Sequence, residues 1–264
     1  MWIADKRLHA EDEENGKRTG GKWKLVLFGS LGVAVDCLRW LLTEDSFEVL
    51  GVVCTRKPRS AWRLELDDPD MQEAAIEWGI PLLTMDDVLS MEADFGLSVR
   101  FHEILRPQHL ARFRLGVVNL HGAPLPDMRG SMCDAAAIVE GRSEFGTSLH
   151  WMDKGVDTGP ILAVRRFPIA EEDTVFELFQ QSNELGLELI KETLVYIATG
   201  RLRGVPQQEY MDKLGITATT YYADQVLKYK QLPAGLSKEE TSRRIRAFQF
   251  PGHEPVRIGR KSNG

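Results

Sequence analysis

Residues 118–162, VNLHGAPLPDMRGSMCDAAAIVEGRSEFGTSLHWMDKGVDTGPIL, set Asn119, His121 and Asp157 on turn-rich peptides bordered by apolar strands. Asn119 and His121 alternate with Val118 and Leu120, so a strand ending in VVNLH projects both polar side chains from one face. The run GAPLPDMRG that follows has the glycine and proline content of a loop. In open α/β sheets the ligand crevice lies outside the carboxyl ends of the strands. Asp157 follows the strand-like TSLHWM and sits inside the turn DKGVDTGP.

Upstream the elements alternate. KLVLFGS is an apolar run ending at Gly29, VAVDCLRWLL has helical spacing, and FEVLGVVCT is a second strand. DDPDMQEAAIEWG reads as a second helix with Asp67 or Asp68 near its start. Pro81-Leu82-Leu83 is a short strand and MDDVLSME a short helix; DFGLSVRFHEIL runs from strand into loop, and PQHLARF is a helical turn before GVVNLH. Strands alternating with helices imply an α/β fold with a Rossmann-like, mostly parallel sheet covered on both faces. The expected organisation is a flexible, charged lead-in over residues 1–22, a main domain over 23–203 and a small C-terminal α+β subdomain over 204–264.

With 264 residues, 43% hydrophobic and 27% charged, the chain can bury a substantial core. A net charge of −6 argues against a general nucleic-acid binder. No stretch approaches the ~20 apolar residues that cross a membrane, and the charged N-terminal run is no signal peptide. Cys37, Cys54 and Cys133 show no metal spacing and fit structural thiols in a reduced, cytoplasmic compartment.

Phe28-Gly29-Ser30-Leu31-Gly32 is a glycine-rich turn between strand and helix, a place where phosphate can bind. It lacks the third glycine near Ala34 and Val35, and the second strand ends in Cys54-Thr55-Arg56-Lys57 rather than in an acid, so it is no dinucleotide fingerprint. Gly29 is a tight-turn glycine that can line an acceptor site. Arg56, Lys57 and Arg59 form either a solvated loop or a contact for acceptor phosphates.

Singly, Asn119, His121 and Asp157 each have an ordinary structural role as turn former, cap or satisfied core residue. Together they suffice for moving an acyl group to an amine. An imidazole takes a proton near neutral pH, a carboxylate orients it and stabilises its charged form, and an amide donates to a developing oxyanion.

These residues resemble the folate-dependent formyltransferases, a family that includes the glycinamide ribonucleotide, methionyl-tRNA and nucleotide-sugar enzymes. The resemblance is carried by Asn119-Leu120-His121, Leu125-Pro126, Arg129-Gly130, Gly146-Thr147-Ser148-Leu149-His150 and Asp157-Thr158-Gly159. It extends upstream through SVRFHEILRP and covers roughly residues 24–200. It implies a formyltransferase fold with N10-formyltetrahydrofolate as donor, no metal, and a homodimer. His121 would be the base, Asn119 the oxyanion donor and Asp157 the residue that orients the imidazole and assists proton movement. It further implies that the pterin lies between the loop carrying Phe101, His102, Ile104 and Leu105 and the loop carrying Met152, Asp153, Gly155 and Val156. His102 and His150 read as structural rather than catalytic.

The segment after Gly200 narrows the acceptor. About sixty residues are few for a tRNA-binding domain. TTYYADQVLKYKQLPAGLSKEETSRRIRAFQFPGHEPVRI is instead similar to the tails of nucleotide-sugar N-formyltransferases, with a Tyr-Tyr segment, a helix ending in Arg-x-Arg-Ala and a Phe-Pro-Gly hairpin. The resemblance therefore implies a nucleotide-linked amino sugar as acceptor, the usual context being surface polysaccharide (lipopolysaccharide) synthesis. Gly29, Arg56, Lys57, Gly122, Tyr221 and Tyr222 are its candidate contacts, and the basic tail from Arg243 to Lys261 a surface or subunit contact. One departure stands out: the purine and tRNA enzymes usually carry Pro-Ser after the histidine, and this chain carries Gly122-Ala123, leaving room for a bulkier sugar. A methionyl-tRNA or other amine formyltransferase, a formyltetrahydrofolate hydrolase and a non-catalytic folate or sugar-nucleotide binder remain alternatives.

Overall fold

The computed structural model describes Trp2–Ile3 and residues 21–258, so the expected lead-in falls almost wholly outside the described residues. Strand β1 is Trp2–Ile3. The alternating part runs β2 (Trp23–Phe28), α1 (Gly32–Leu41), β3 (Phe47–Val53), α2 (Ala61–Glu65), α3 (Met71–Glu77), β4 (Leu82–Leu83), α4 (Met85–Leu89), β5 (Phe95–Val99), α5 (Pro107–Leu110) and β6 (Val117–His121). It continues through β7 (Met128–Gly130), α6 (Cys133–Val139), β8 (Glu144–Trp151), β9 (Ile161–Pro168) and α7 (Val175–Ala198).

The sheet order is β1-β9-β8-β6-β5-β2-β3-β4. From β4 to β6 every neighbour is parallel; β6–β8, β8–β9 and β9–β1 are antiparallel. The α/β architecture follows from period two in strands buried on both faces. In β2, Leu25 and Leu27 join Val118 and Leu120 under α1 and α7, whereas Val26 and Phe28 join Leu105, Phe113 and Val117 on the opposite face. Helix α7 starts with a capping box between Thr174 and Glu177, and its Gly186 lies so close to β6 that a Cβ would sit 2.7 Å from Leu120.

The start of the second helix differs from the sequence expectation. Asp70, not Asp67 or Asp68, caps α3, its carboxylate accepting from the Gln72 and Glu73 amides. Asp68 instead accepts from the Gly32 N–H at the start of α1, at 3.1 Å, and from Arg63 Nε, at 2.6 Å. Helix α1 has no side-chain cap of its own, so the acid is borrowed from a distant loop, where it meets the positive end of the helix dipole. Helix α2, which holds Arg63, has no apolar period long enough to read from sequence.

After α7 come α8 (Gln207–Leu214), β10 (Thr219–Tyr221), α9 (Ala223–Val226), β11 (Gln231–Leu232), α10 (Lys238–Ala247) and β12 (Arg257–Ile258). β10 pairs parallel with β7. Tyr221, Val226, Ala247 and Phe248 share one core with Ala135, Ile138, Phe145 and Leu178. The segment set apart as a C-terminal α+β unit is thus packed into the body's own core. Phe250-Pro251-Gly252 forms a turn, and β12 beyond it pairs parallel with β11, so this is not a hairpin. Gly252 has φ +65° and approaches the Trp62 backbone so closely that a Cβ would lie 2.7 Å from its nitrogen.

Asp68→Ala removes an acceptor from α1 and leaves Arg63, 6% exposed, without its close carboxylate. The expected loss of stability is about 3 kcal/mol in urea unfolding; an unchanged midpoint would show that the α1 start is satisfied without it.

Candidate active site

Strand β6 leaves the sheet between β5 and β8, and the antiparallel register sets Asn119 opposite His150 and His121 opposite Ser148. Asp157 arrives from the loop between β8 and β9 with φ +53°, a left-handed conformation that Asp tolerates better than most residues. Its Oδ2 accepts from the Gly130 N–H at 2.9 Å and lies 3.6 Å from His121 Nδ1; its Oδ1 lies 3.5 Å from His150 Nε2.

The hydrogen-bond partners assign both imidazole tautomers. His121 Nε2 is 2.7 Å from the Met128 carbonyl oxygen, so Nε2 carries the hydrogen and the lone pair is on Nδ1, toward Asp157. His150 Nδ1 donates to the Trp151 carbonyl at 2.9 Å, which leaves Nε2 to accept from Asn119 Nδ2 at 3.1 Å. Burial pushes the His121 pKa below the ordinary imidazole value, with His150 pushing the same way and Asp157 opposing. Burial alone would raise the Asp157 carboxyl, but His121, His150 and the Gly130 N–H outweigh it and hold it well below the usual carboxylate range. At neutral pH the site therefore pairs an ionised Asp157 with a neutral His121.

Sequence reasoning missed the residue that fixes this loop. Gln207, at the start of α8 and 4% exposed, donates through Nε2 to the carbonyls of Asp157 at 2.7 Å and Gly159 at 2.9 Å. Its Oε1 accepts from Arg129 Nε at 2.9 Å and from Arg129 NH2 at 2.6 Å. Nothing in QQEYMDKL distinguishes Gln207 from Gln208, because its role exists only across the fold.

A cavity of about 630 Å³ opens at Asn119, His121 and Asp157. Arg100, Phe101 and His102 line it, and Trp62, Phe179 and Phe250 form an aromatic wall with edge-to-face contacts between their rings. Leu105 and Met152 lie with Phe101 in one apolar cluster, while Ile104 and Val156 stand 82% and 59% exposed on the same two loops. Asp153 accepts from the Gly155 amide and the Thr158 hydroxyl, which closes the second loop on itself.

Other expected contacts lie elsewhere. Gly29 is needed for close packing, since a Cβ would meet Ala34 at 2.4 Å and the Val99 carbonyl at 2.8 Å, and it is not on the cavity wall. Arg56 and Lys57 are exposed beyond β3 and likewise off that wall. The Tyr221 phenol donates to Glu140 at 2.9 Å and accepts from Arg142, facing a separate groove, and Tyr222 is exposed off the wall. The room expected at Gly122-Ala123 is filled: Ala123 is fully buried, and the Arg100 guanidinium lies against Gly122.

Gln207→Leu keeps the volume but strands the Arg129 guanidinium and the carbonyls of Asp157 and Gly159. Loss of about 2–4 kcal/mol is expected from thermal or urea unfolding; wild-type stability would mean that the loop holds itself.

Residues 83–194 match the family model described as Formyl transferase. Methionyl-tRNA formyltransferase of Sorangium cellulosum is 35% identical over 193 residues, covering 70% of this chain and 61% of that enzyme. Its counterpart from Cyanothece sp. is 33% identical over 194 residues, covering 70% and 58%. The chain thus spans about three fifths of the length of these relatives. Among solved structures, the sugar 3N-formyl transferase WlaRD, with dTDP and 5-N-formyl-THF, superposes with TM-score 0.73 at 21% identity over 88% of this chain and 81% of its own. The N-formyltransferase of Helicobacter canadensis, in complex with folinic acid and dTDP-3-aminofucose, gives 0.72 at 22% identity over 86% and 81%. At such identities these two likenesses are likenesses of fold. With the family model matched through β6 and β8 and about a third of the aligned residues shared with these relatives, this part of the chain is similar to the formyltransferases.

Proposed function

We propose that this chain transfers a formyl group from N10-formyltetrahydrofolate to the primary amine of a nucleotide-linked amino sugar. The observation that carries this is the convergence of Asn119, neutral His121 and ionised Asp157 on one cavity. Two apolar loops suit the donor's flat ring: Phe101, Leu105 and Met152 meet in one cluster, and Ile104 and Val156 are left uncovered. When bound, the donor supplies an electrophilic formyl carbon and a nitrogen leaving group.

The protein's part follows from its hydrogen bonds. Met128 holds the Nε2–H of His121, so a proton lost by the attacking amine is taken up at Nδ1, where Asp157 stabilises the imidazolium. Neither Nδ1 nor the ionised Asp157 carries a hydrogen, so the Nδ1 lone pair is not tied up beforehand. Asn119 Nδ2 carries two hydrogens; one is held by His150, which turns the other toward the cavity to meet the developing oxyanion. Asp157 then assists return of the proton to the leaving nitrogen.

Support for a sugar acceptor comes from the fold matches to sugar N-formyltransferases, which extend over 88% and 86% of the chain, against the 70% shared with methionyl-tRNA enzymes. The aromatic wall of Trp62, Phe179 and Phe250 suits a planar base. The higher identity to methionyl-tRNA formyltransferases favours the second reading, a tRNA-linked amine.

The test is incubation with N10-formyltetrahydrofolate and UDP-, dTDP- and GDP-linked amino sugars, beside methionyl-tRNA and a water-only control. A formylated nucleotide sugar in the mass spectrum, absent with His121→Ala, is the expected result; formylated methionyl-tRNA or formate alone would replace it with the second reading or with a hydrolase. Asn119→Ala should lower turnover by about 10²–10³ with little change in melting temperature; a wild-type rate in single turnovers would remove Asn119 from this role.

The pH dependence has a definite sign. With the His121 pKa lowered, the base form persists below the ordinary value of 6.5, so kcat/KM should stay level through neutrality and fall only further into acid. The same shift makes the stability from neutral His121 complete above 6.5 and lost as the pH falls through the lowered folded pKa. An acid limb centred above 6.5 would rule out His121 as that base.

A further inference from the structure

The cavity wall holds an arginine with no counter-ion among the described residues. Arg100 follows β5 with φ +53°, a left-handed conformation uncommon for a long side chain. Its guanidinium lies 4.9 Å from the ring centre of Phe179 and rests against Gly122, the residue after His121. A Cβ on Gly122 would lie 1.6 Å from one guanidinium nitrogen, so the arginine can take this place only beside glycine.

Among the described residues no carboxylate stands within ion-pair distance of Arg100. The charges that face it are those of the same cavity: the Asp134 carboxyl, which acts on it only through its field, and Lys230 and His253 on the wall. Arginine cannot shed its proton, so it stays charged although burial disfavours the charge. An unpaired guanidinium, on a left-handed backbone and beside Asn119 and His121, is a fork of donors held ready for a ligand.

We propose that Arg100 is the specificity-determining residue of the acceptor site, binding an oxyanion, phosphate or carboxylate, that the acceptor carries close to its reacting amine. The role as an acceptor contact rests on the formyl-transfer reading; the anion site is tested without it.

The full chain is titrated by calorimetry with inorganic pyrophosphate and, separately, with malonate at constant ionic strength, and then with folinic acid. The variants are Arg100→Met, Arg100→Lys and Gly122→Ala, each with a melting curve. One of the two anions is expected to bind the wild type and to weaken about tenfold or more in Arg100→Met and Gly122→Ala, with partial recovery in Arg100→Lys. Folinic acid affinity is expected to stay the same. Binding of pyrophosphate assigns a phosphate-bearing acceptor, and binding of malonate a carboxylate-bearing one. If Arg100→Met does not fold, the Gly122→Ala comparison decides. Equal anion affinity in wild type and variants, or no binding of either anion by the wild type, overturns the proposal. Failure of folinic acid to bind the wild type would instead overturn the formyl-transfer reading and leave the anion result standing.

Discussion

An ionised carboxylate is costly to bury, and the groups that surround the Asp157 loop come from four separate segments. The β6 end gives His121, β7 gives the Gly130 N–H, β8 gives His150, and α8 reaches back with Gln207 to hold the loop's carbonyls. Gly130 must be glycine for this, since at φ +88° a Cβ would sit 2.1 Å from the Tyr221 carbonyl. Bringing these segments to one carboxylate fixes where the C-terminal part of the chain packs and where the cavity opens.

The change of strand direction serves the same geometry. If β8 ran parallel to β6, the outgoing loops of both strands would crowd one edge. Because it runs antiparallel, His150 lies directly across from Asn119 and the following loop folds back along the sheet to deliver Asp157. His150 thereby acts through another residue: it transfers no proton in the scheme, yet it sets the direction of the Asn119 amide.

What the sequence made legible was whatever depends on neighbours along the chain. Alternation in VVNLH placed Asn119 and His121 together, the apolar runs revealed the sheet, and Asp157 could be read from its turn. The turn after Gly29 lacks the third glycine of a dinucleotide fingerprint, and in the structure the Gly32 N–H is occupied by Asp68. Gln207, Arg100 and the trans cap from Asp68 were not legible, because each has its meaning only in a contact between segments far apart. The tyrosines at 221 and 222 lie off the cavity wall for the converse reason. An aromatic pair suggests stacking, but one phenol is spent on Glu140 and Arg142, and the other faces solvent.

The aromatic wall also bears on how the molecule assembles. Trp62 meets Phe250 where the Gly252 turn nestles on the α2 backbone, a contact between segments far apart along the chain. Contacts of such high sequence separation carry the largest closure entropy and form after the local ones. The sheet with His121 and Asn119 can thus be in place while the cavity still lacks its aromatic wall.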